Sequence, residues 1–264
     1  MWAIWGSPLW CNLAMTKRAL ITGGAKRIGA AIAEDLARNG FDVAVQYVSS
    51  QEDASELVQH LRQLGVNAVA LGADLLEPHA AETLFQLAIE QLGSIDLLIN
   101  NASIFEADEL ADLDEALWEK HMTIHLKVPS LLASEMAKQK HLNDGLIVNI
   151  IDQRVLRLNP NFYSYTLSKS GLWAATRTMA QSLAPAIRVN AIGPGPTLKN
   201  ARQTEKDFQQ QIDGLLLKRG PALDEFGETI RYLYHAKSVT GQMIALDGGQ
   251  HLAWQTPDIS GISE

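Results

Sequence analysis

The fold class of this chain is decided by residues 18–40, which read RALITGGAKRIGAAIAEDLARNG. A short apolar run at residues 19–21 leads into the glycine-rich turn at residues 22–24. An amphipathic segment comes next and ends at Asn39-Gly40, with apolar residues spaced four apart: Ile28, Ile32 and Leu36. This order predicts a buried strand, a glycine-rich turn and a helix whose C-terminus is followed by glycine.

The turn has two interpretations. Glycines let the backbone approach a phosphate closely, and the free N–H groups at the start of the helix favour an anion. A tight strand-to-helix connection also needs glycine, so the turn alone does not predict a nucleotide site. The β/α alternation of the remaining chain favours the nucleotide interpretation.

Composition and charge limit the class of protein. The 264 residues are 47% hydrophobic and 20% charged, which is typical of one large globular domain. No apolar run is long enough for a membrane span, and the net charge of −8 argues against a nucleic-acid partner. The single cysteine, Cys11, fits a reducing compartment, and we expect a cytoplasmic location.

The N-terminal stretch, residues 1–14, differs in character from the rest of the chain. It reads MWAIWGSPLWCNLA, carries three tryptophans, and lacks the basic region of a signal peptide. We expect a loosely held extension or a misassigned start, with Met15 as the natural start and one domain over residues 15–264. The alternative is a hydrophobic arm that packs on a partner subunit.

Segments of strand and helix length alternate along the rest of the chain. Strands are predicted at residues 42–48, 67–75, 95–103, 145–152, 187–195 and 242–249, and helices at 51–64, 78–92, 114–140 and 164–183. Continuous apolar strands separated by helices predict a doubly wound parallel α/β sheet of about seven strands in a single domain. Ligands in such folds bind at the carboxyl ends of the strands.

A polar insert interrupts the alternation after the sixth strand. Residues 194–221 contain three prolines and a polar helical segment at 199–213. An insert at the carboxyl end of a strand predicts a lid over the site, at about residues 196–221. The alternative is an ordinary surface excursion.

Chemically useful side chains occur at or after the predicted strand ends. Tyr165 and Lys169 are four apart and share a helix face. The lysine ammonium would lower the pKa of the phenol toward neutrality, making Tyr165 a usable acid or base. Asn101 ends the fourth strand and Asp152 ends the fifth.

At these positions the chain resembles the short-chain dehydrogenase/reductase family. The resemblance covers residues 17–252 and rests on five motifs, the TGxxxxxG turn, NNA, YxxxK, RVNAIGPG and VTGQMIALDGG. It implies hydride transfer between a nicotinamide cofactor and a bound C=O or C=N. It also implies that Tyr165 donates the proton and that Lys169 holds the ribose and tunes Tyr165.

Three departures from the general family pattern are similar to pteridine reductases and bacterial dihydromonapterin reductases. Arg27 replaces the middle glycine of the turn, Asp152 replaces the usual serine, and Ser103-Ile104-Phe105 follows Asn101-Ala102 where the family has glycine. This branch implies that Arg27 meets cofactor phosphate and pterin, that Asp152 works with Tyr165, and that Phe105 stacks on the pterin. Independently, a carboxyl group suits a heterocycle with N–H donors, whereas a serine suits a ketone oxygen.

Each of these side chains has a structural alternative. Asp152 could cap a turn, Phe105 could be core packing, and Arg27 could be a solvated charge. His125 takes the place of a family asparagine that supports a catalytic water near the lysine, and it could instead be a satisfied half-buried histidine. Asp74 resembles the family's adenine contact or could be a cap.

The second strand indicates the cofactor. It ends in Gln46-Tyr47-Val48-Ser49-Ser50 without a carboxylate for a ribose 2′-OH, and Lys26 and Arg27 add positive charge. We therefore predict NADPH over NADH, with the serines as donors to the 2′-phosphate. The predicted cofactor residues are Gly23, Lys26, Arg27, Ile28, Gly29, Tyr47, Ser49, Ser50, Asp74, Leu75, Asn101, Ala102, Ser103, Lys169, Pro194 and Gly195.

The leading hypothesis is an NADPH-dependent pterin reductase with a small-molecule substrate and no metal. Its predicted substrate residues are Arg27, Phe105, Asp152 and Tyr165. The alternatives are an NADPH-dependent carbonyl reductase, for example of 3-oxoacyl thioesters, and a nucleotide-sensing protein without turnover. Surplus apolar residues on the helices at 114–140 and 164–183, together with the family resemblance, predict a homotetramer.

Overall fold

Seven parallel strands form one sheet within residues 16–199, 202–256 and 260, which the computed structural model describes. Their order is β3-β2-β1-β4-β5-β6-β7. The strands are β1 Lys17–Ile21, β2 Phe41–Tyr47, β3 Ala68–Gly72, β4 Leu97–Asn100, β5 Gly145–Ile150, β6 Ile187–Pro194 and β7 Met243–Leu246. The prediction of a doubly wound parallel sheet in a single α/β domain is confirmed. The expectation for residues 1–14 lies outside the described residues.

Helices cover both faces of the sheet. Their bounds are α1 Arg27–Arg38, α2 Gln51–Gln63, α3 Ala80–Leu92, α4 Glu115–Met122, α5 Val128–Ala137, α6 Tyr163–Leu183, α7 Glu205–Asp213 and α8 Asp224–His235. Apolar side chains of α1, α2 and α8 pack on one face, and those of α3, α5 and α6 pack on the other. Among the described residues, no helix combines the length and apolar composition that a membrane span requires.

The sheet is buried on both faces, which explains its continuous apolar strands. All six residues of β5 are buried, for example, as expected for a parallel sheet covered by helices. The strand order reverses between β1 and β4, so the connections that leave these two strands run to opposite sides. A crevice at their carboxyl ends results from this reversal.

Several predicted boundaries were wrong. The predicted strand at 95–103 ends at Asn100, because its neighbour β1 stops at Ile21, which pairs with Ile99. The predicted strand at 67–75 likewise ends at Gly72. The helical part of the insert begins only at Glu205, where Thr204 and Asp207 form a capping box.

Two helical features were missed. The predicted helix at 114–140 is divided by a π-helical turn, Thr123–Lys127, between α4 and α5. Helix α8 was not predicted, although Phe226, Ile230 and Leu233 recur at helical spacing and are fully buried.

Some of the apolar residues on which the tetramer prediction depends belong to the core of the single chain. Leu132, Met136 and Leu172 are fully buried within the single chain, so they are not available to a partner. The other residues of that argument stay half-buried: Trp118, Met122, Leu131, Trp173 and Met179. Only this second group can support an interface between copies.

Candidate active site

The glycine-rich turn connects β1 to α1 in a conformation that larger residues would disturb. Gly23 has φ +60°, and a Cβ on Gly29 would lie 2.2 Å from the carbonyl oxygen of Gly23. No side chain caps α1, and its first turn contains no acidic residue. The first amides of α1 are therefore left for an external acceptor, and the turn fits an anionic phosphate.

Two polar side chains fix the conformation of this turn by hydrogen bonds to its backbone. The Nδ2 of Asn101 donates to the carbonyl oxygens of Thr22 and Gly23 at 3.0 and 2.9 Å. The buried Gln46 accepts from the Gly23 amide at 2.7 Å and donates to the Ala73 carbonyl at 2.7 Å. Asn101 was predicted as a cofactor contact, but its side chain positions the turn. The role of Gln46 was missed, although a polar residue inside a buried strand is a sequence signal.

Asp152 and Tyr165 are joined directly. The Tyr165 hydroxyl donates to Oδ2 of Asp152 at 2.8 Å, while Oδ1 accepts from the Arg154 amide at 2.8 Å. Both interpretations of Asp152 are therefore seen together: one oxygen caps the short 3₁₀ turn Gln153–Val155, and the other holds the phenol. This fixes the orientation of the carboxyl group in the cleft.

The pKa of Tyr165 moves opposite to the prediction. Burial first, and then the adjacent Asp152 carboxylate, raise the pKa of the phenol well above 10.0. The Nζ of Lys169 lies 5.8 Å from the ring centroid and donates to the Ile150 carbonyl at 2.9 Å. Burial and Asp152 therefore determine the direction of the shift, and the phenol keeps its proton at neutral pH.

The other two ionisable groups are also perturbed by burial. Burial raises the pKa of the Asp152 carboxyl, although hydrogen bonds from Arg154 and Tyr165 oppose the shift. Burial lowers the pKa of Lys169 to about 8, with Asp152 acting in the opposite direction. Strongly perturbed groups that converge in a cleft are typical of active sites.

Replacing Lys169 with methionine is expected to stabilise the fold at neutral pH. The lysine has an ordinary pKa of 10.5 and a folded value of about 8, so the unfolded chain binds more protons than the folded chain between pH 8 and pH 10.5. The stability of the wild type therefore rises from pH 8 to 10.5, and the burial penalty is complete below pH 8. After the lost hydrogen bond to Ile150 is allowed for, the gain is about 1–3 kcal/mol.

Urea unfolding of wild type and Lys169→Met at pH 7 and pH 10 measures this gain. It should shrink at pH 10, because the lysine is then neutral in most folded molecules and the penalty is largely relieved. Lys127→Met, at an exposed lysine, is the matched control for the loss of one positive charge. A Lys169→Met variant that is less stable than wild type at pH 7 would contradict the burial argument.

His125 is buried between the loop after β4 and helix α6. The imidazole lies in the π-helical turn and is 1% exposed. Its Nδ1 contacts the Ser168 hydroxyl at 2.9 Å, and its Nε2 contacts the Ser103 hydroxyl at 2.8 Å and the Ile104 amide at 3.3 Å. Because Ser168 donates to the Tyr165 carbonyl, Nδ1 carries the proton and Nε2 accepts.

His125 therefore connects the loop after β4 to helix α6 and is not directed at Lys169. Burial lowers the pKa of His125 well below 6.5, which keeps the ring neutral. Its ring stands perpendicular to that of Tyr165 at 5.2 Å. The ring nitrogens of His125 contact Ser168 and Ser103, which is the alternative of a buried histidine with its hydrogen bonds satisfied.

An aromatic pair lies beside Tyr165. The rings of Phe105 and Phe162 stack at 4.4 Å with an interplanar angle of 8°, and Phe105 also meets Tyr165 edge-on at 4.8 Å. Phe162 has φ +58°, an unusual backbone conformation for a bulky residue. Phe105 is half-buried and lines the cleft, so it is not a core residue. Phe162 was missed, and its position three residues before Tyr165 was the available signal.

A cavity of about 730 Å³ brings together half of the predicted site residues. The predicted residues that line it are Arg27, Ile28, Asn101, Ser103, Phe105, Asp152, Tyr165, Lys169, Pro194 and Gly195. Ser49 and Ser50 lie instead in a second surface cavity together with Glu52, Asp53 and Glu56. Lys26 forms an ion pair with Asp53 at 2.8 Å.

Several predicted cofactor residues have other contacts in this structure. The side chain of Asp74 accepts from the Leu76 amide at 3.0 Å, which is the capping alternative. The ring of Tyr47 packs against Gly72. Leu75 is buried in the core, and the Ala102 amide donates to the Thr22 hydroxyl.

The insert reaches over the cleft and is tied to it by arginines. Arg27, at φ +53°, donates to the carbonyl oxygens of Leu198 and Lys199, both at 3.2 Å. Arg202 donates to the Phe105 carbonyl at 2.7 Å. The insert therefore contacts both the glycine-rich turn and the loop that carries Phe105.

Comparison with known proteins places this geometry among reductases. A family model described as enoyl-(acyl carrier protein) reductase matches residues 23–251. The crystal structure of FolM alternative dihydrofolate reductase 1 from Brucella suis in complex with NADP is 53% identical, with a TM-score of 0.90 and coverage of 92% of this chain and 98% of that chain.

Two further relatives are similar to this chain to different degrees. The Brucella canis FolM protein, complexed with NADP, is 52% identical with a TM-score of 0.87, over 92% of this chain and 97% of that one. The 3-oxoacyl-[acyl-carrier-protein] reductase FabG of Staphylococcus epidermidis is 30% identical over 244 residues, covering 90% of this chain and all of the relative.

Proposed function

This chain belongs to the short-chain dehydrogenase/reductase family, and from that premise we propose that it is an NADPH-dependent reductase of pterin-type substrates. The observation that carries the proposal is the 2.8 Å hydrogen bond from Tyr165 to Asp152 in a cleft that also holds Phe105. A carboxyl group beside the phenol suits a ring that presents N–H donors and a nitrogen that needs a proton. An aromatic side chain suits a flat bicyclic ring.

The cofactor fits the cleft through the glycine-rich turn and its cations. The uncapped amides of α1 and the side chains of Lys26 and Arg27 would hold phosphate groups. Lys169 would hold the ribose from inside the cleft. When bound, NADPH supplies the hydride to a ring carbon of the substrate.

Tyr165 and Asp152 handle the proton that balances the hydride. Reduction of a C=N bond adds the hydride to carbon and one proton to the adjacent nitrogen. The pKa of Tyr165 is raised well above 10.0, so the phenol keeps its proton at neutral pH, and burial raises the pKa of Asp152 from its ordinary value. The group that gives its proton is then protonated again from solvent at the mouth of the cavity.

NADPH is proposed over NADH because of Lys26, Ser49 and Ser50. The 2′-phosphate has to compete with Asp53 for the ammonium of Lys26, since these two groups are paired in the structure. The complexes of the Brucella FolM proteins with NADP support this choice. Charge-assisted hydrogen bonds worth about 1.5–3 kcal/mol would favour NADPH by about 10–100-fold.

The second candidate is a 3-oxoacyl thioester reductase. The FabG relatives favour it, but at 30% identity against 52–53% for the FolM proteins. Asp152 opposes it, because it replaces the serine that suits a ketone oxygen, and a carboxyl group can donate to that oxygen only while it is protonated. A nucleotide sensor without turnover has no need for the hydrogen-bonded Tyr165 and Asp152 or for Lys169 beside them.

A substrate panel tests the proposal directly. Purified protein with NADPH is offered dihydromonapterin, dihydrobiopterin, folate and an acetoacetyl thioester, and NADPH consumption is followed. We expect turnover of the pterins, and a kcat/KM for NADPH about 10–100-fold above that for NADH. Turnover of the thioester alone would refute the substrate class, and equal efficiency with both cofactors would refute the NADPH preference.

We also propose a homotetramer in the cytoplasm and a lid formed by residues 196–221. The half-buried Trp118 and Trp173 would lie at the interface between copies. The contacts of Arg27 with Leu198 and Lys199 would couple the lid to the turn that holds the cofactor. Light scattering at micromolar concentration tests the assembly.

A further inference from the structure

A chain of hydrogen bonds connects the loop that carries Phe105 to the backbone of Tyr165. The Ile104 amide donates to Nε2 of His125 at 3.3 Å, and Nδ1 of the same ring contacts the Ser168 hydroxyl at 2.9 Å. The Ser168 hydroxyl in turn donates to the Tyr165 carbonyl at 2.8 Å. The residue before Phe105 is therefore joined to the residue that is proposed to hold the proton.

The same loop is held at its other end by the start of helix α6. We call residues 103–108 the platform loop. Both carboxylate oxygens of Asp108 accept from the Ser164 amide at 3.1 Å, and the Asp108 carbonyl accepts from the Tyr163 amide at 3.2 Å. The platform loop is therefore attached to α6 at both ends, directly through Asp108 and at its start through His125.

The two aromatic rings of the site lie between these attachments. Phe105 lies between them on the platform loop, and Tyr165 lies between the positions of α6 at which they end. The two rings meet edge-on at 4.8 Å, and the His125 ring stands perpendicular to that of Tyr165 at 5.2 Å. Aromatic contacts depend on separation and angle, and turnover is sensitive to displacements of about 1 Å. A shift at the start of the platform loop would therefore disturb the site.

We propose that His125 is a positioning residue that fixes Phe105 relative to Tyr165 and Asp152, so that a flat substrate ring stacks on Phe105 within reach of the proton. This rests on the proposed pterin reduction and adds a residue that determines its specificity. His125 acts through the platform loop, because the cavity lining formed by the described residues does not include it.

An imidazole suits this position because its two nitrogens lie at different distances from the backbone. Nδ1 reaches Ser168, whereas Nε2 is one bond further out and reaches Ser103 and Ile104. Asparagine carries its polar atoms at the δ position only, so it can donate to Ser168 but does not reach the platform loop. His125→Asn therefore removes the bonds to the loop and keeps the bond to the helix.

His125→Asn is expected to raise KM for a dihydropterin about 3–30-fold, the range for one or two lost hydrogen bonds. The value of kcat should fall less, and its pH profile should not move, because the bond from Tyr165 to Asp152 is kept. The Kd for NADPH, measured by fluorescence titration, should stay near the wild-type value. Asn101 and Gln46 hold the glycine-rich turn without His125.

His121→Asn is the matched control. His121 is fully buried, lies one helical turn before His125 and stacks on it at 5.6 Å. Its Nδ1 contacts the Ser164 hydroxyl at 2.7 Å, and its Nε2 has no hydrogen-bond partner within the described part of the chain. Asparagine can keep this one bond. The control therefore removes an equally buried imidazole and should leave KM for the dihydropterin near the wild-type value.

A double-mutant cycle with Phe105→Leu tests whether His125 acts through that ring. In the Phe105→Leu background, His125→Asn should add little to the rise in KM, because the ring that it positions is already gone. Additive effects of the two substitutions would overturn the proposal. If His125→Asn does not fold, Ser103→Ala takes its place in the cycle. It removes only the hydroxyl contact at 2.8 Å and should raise KM about 2–10-fold.

Hydrogen exchange of the Ile104 amide tests the attachment without turnover. Exchange should accelerate in His125→Asn but not in His121→Asn, because only the first loses the acceptor of this amide. Unchanged exchange in His125→Asn would overturn the positioning role and leave pterin reduction intact. Absence of pterin turnover by the wild type would overturn the proposed function and the role of His125 in it, even where faster exchange confirms the attachment.

Discussion

Tyr165→Phe is expected to lower kcat for pterin reduction by about 10²–10⁴-fold, the range typical of a lost general acid. The phenol is 5% exposed, and its hydroxyl donates to Asp152 at 2.8 Å. Phenylalanine keeps the ring contacts with Phe105 and His125 but has no proton to give. Steady-state kinetics with a dihydropterin, combined with a fluorescence titration of NADPH, measures the effect and separates it from cofactor binding.

The same variant has a second consequence. The hydrogen bond from Tyr165 lowers the pKa of Asp152, against the effect of burial. Its removal should therefore raise the pKa of Asp152 further, and the residual activity should persist to higher pH. Tyr163→Phe is the matched control, because Tyr163 lies on the same helix next to Trp118 and outside the cavity. Near-normal kcat in Tyr165→Phe would show that another group supplies the proton.

The elements that hold this site could be predicted because they depend on local sequence. Buried parallel strands are continuous apolar runs, and a glycine-rich turn between β1 and α1 is typical of a nucleotide-binding sheet of this kind. The spacing of Tyr165 and Lys169 likewise places both on one face of α6. Helix α8 could have been predicted in the same way, because Phe226, Ile230 and Leu233 recur at helical spacing.

The features that escaped prediction depend on tertiary packing. The ring of His125 turns toward Ser103 and Ser168 only because a π-helical turn interrupts the helix there. The raised pKa of Tyr165 depends on how completely the fold buries the phenol. This burial cannot be predicted from a local sequence pattern. Phe162 reaches Phe105 through a left-handed backbone that its residue type does not favour.

Asp152→Ser is expected to separate pterin reduction from carbonyl reduction. The aspartate uses two oxygens at once, one on the Arg154 amide and one on the Tyr165 hydroxyl. A serine has one oxygen and a proton that it can donate to a ketone, but it cannot accept from ring N–H groups as a carboxylate does. We expect pterin kcat to fall by about 10²–10⁴-fold, while any reduction of a simple ketone or thioester survives.

Asp152→Asn is the matched variant that keeps the shape of the side chain. Its amide oxygen can still accept from the Arg154 amide, so the local turn is preserved, but it holds no titratable proton. In wild type, kcat for pterin reduction should fall as pH rises through the raised pKa of Asp152, because the protonated carboxyl is lost. Asp152→Asn should lack this fall and retain only a low, flat rate.

The two aspartate variants together decide what this carboxyl group does. If Asp152 only caps the turn, Asp152→Asn should keep its pterin turnover, because the cap is preserved. Asp152→Ser, in which the cap is lost, should then lower pterin and carbonyl turnover alike. If the carboxyl group instead handles the proton, both variants should lose pterin turnover, and the fold of each should stay intact. Because the same side chain serves the turn and the phenol, only the pH profile of Asp152→Asn isolates the chemical role from the positional one.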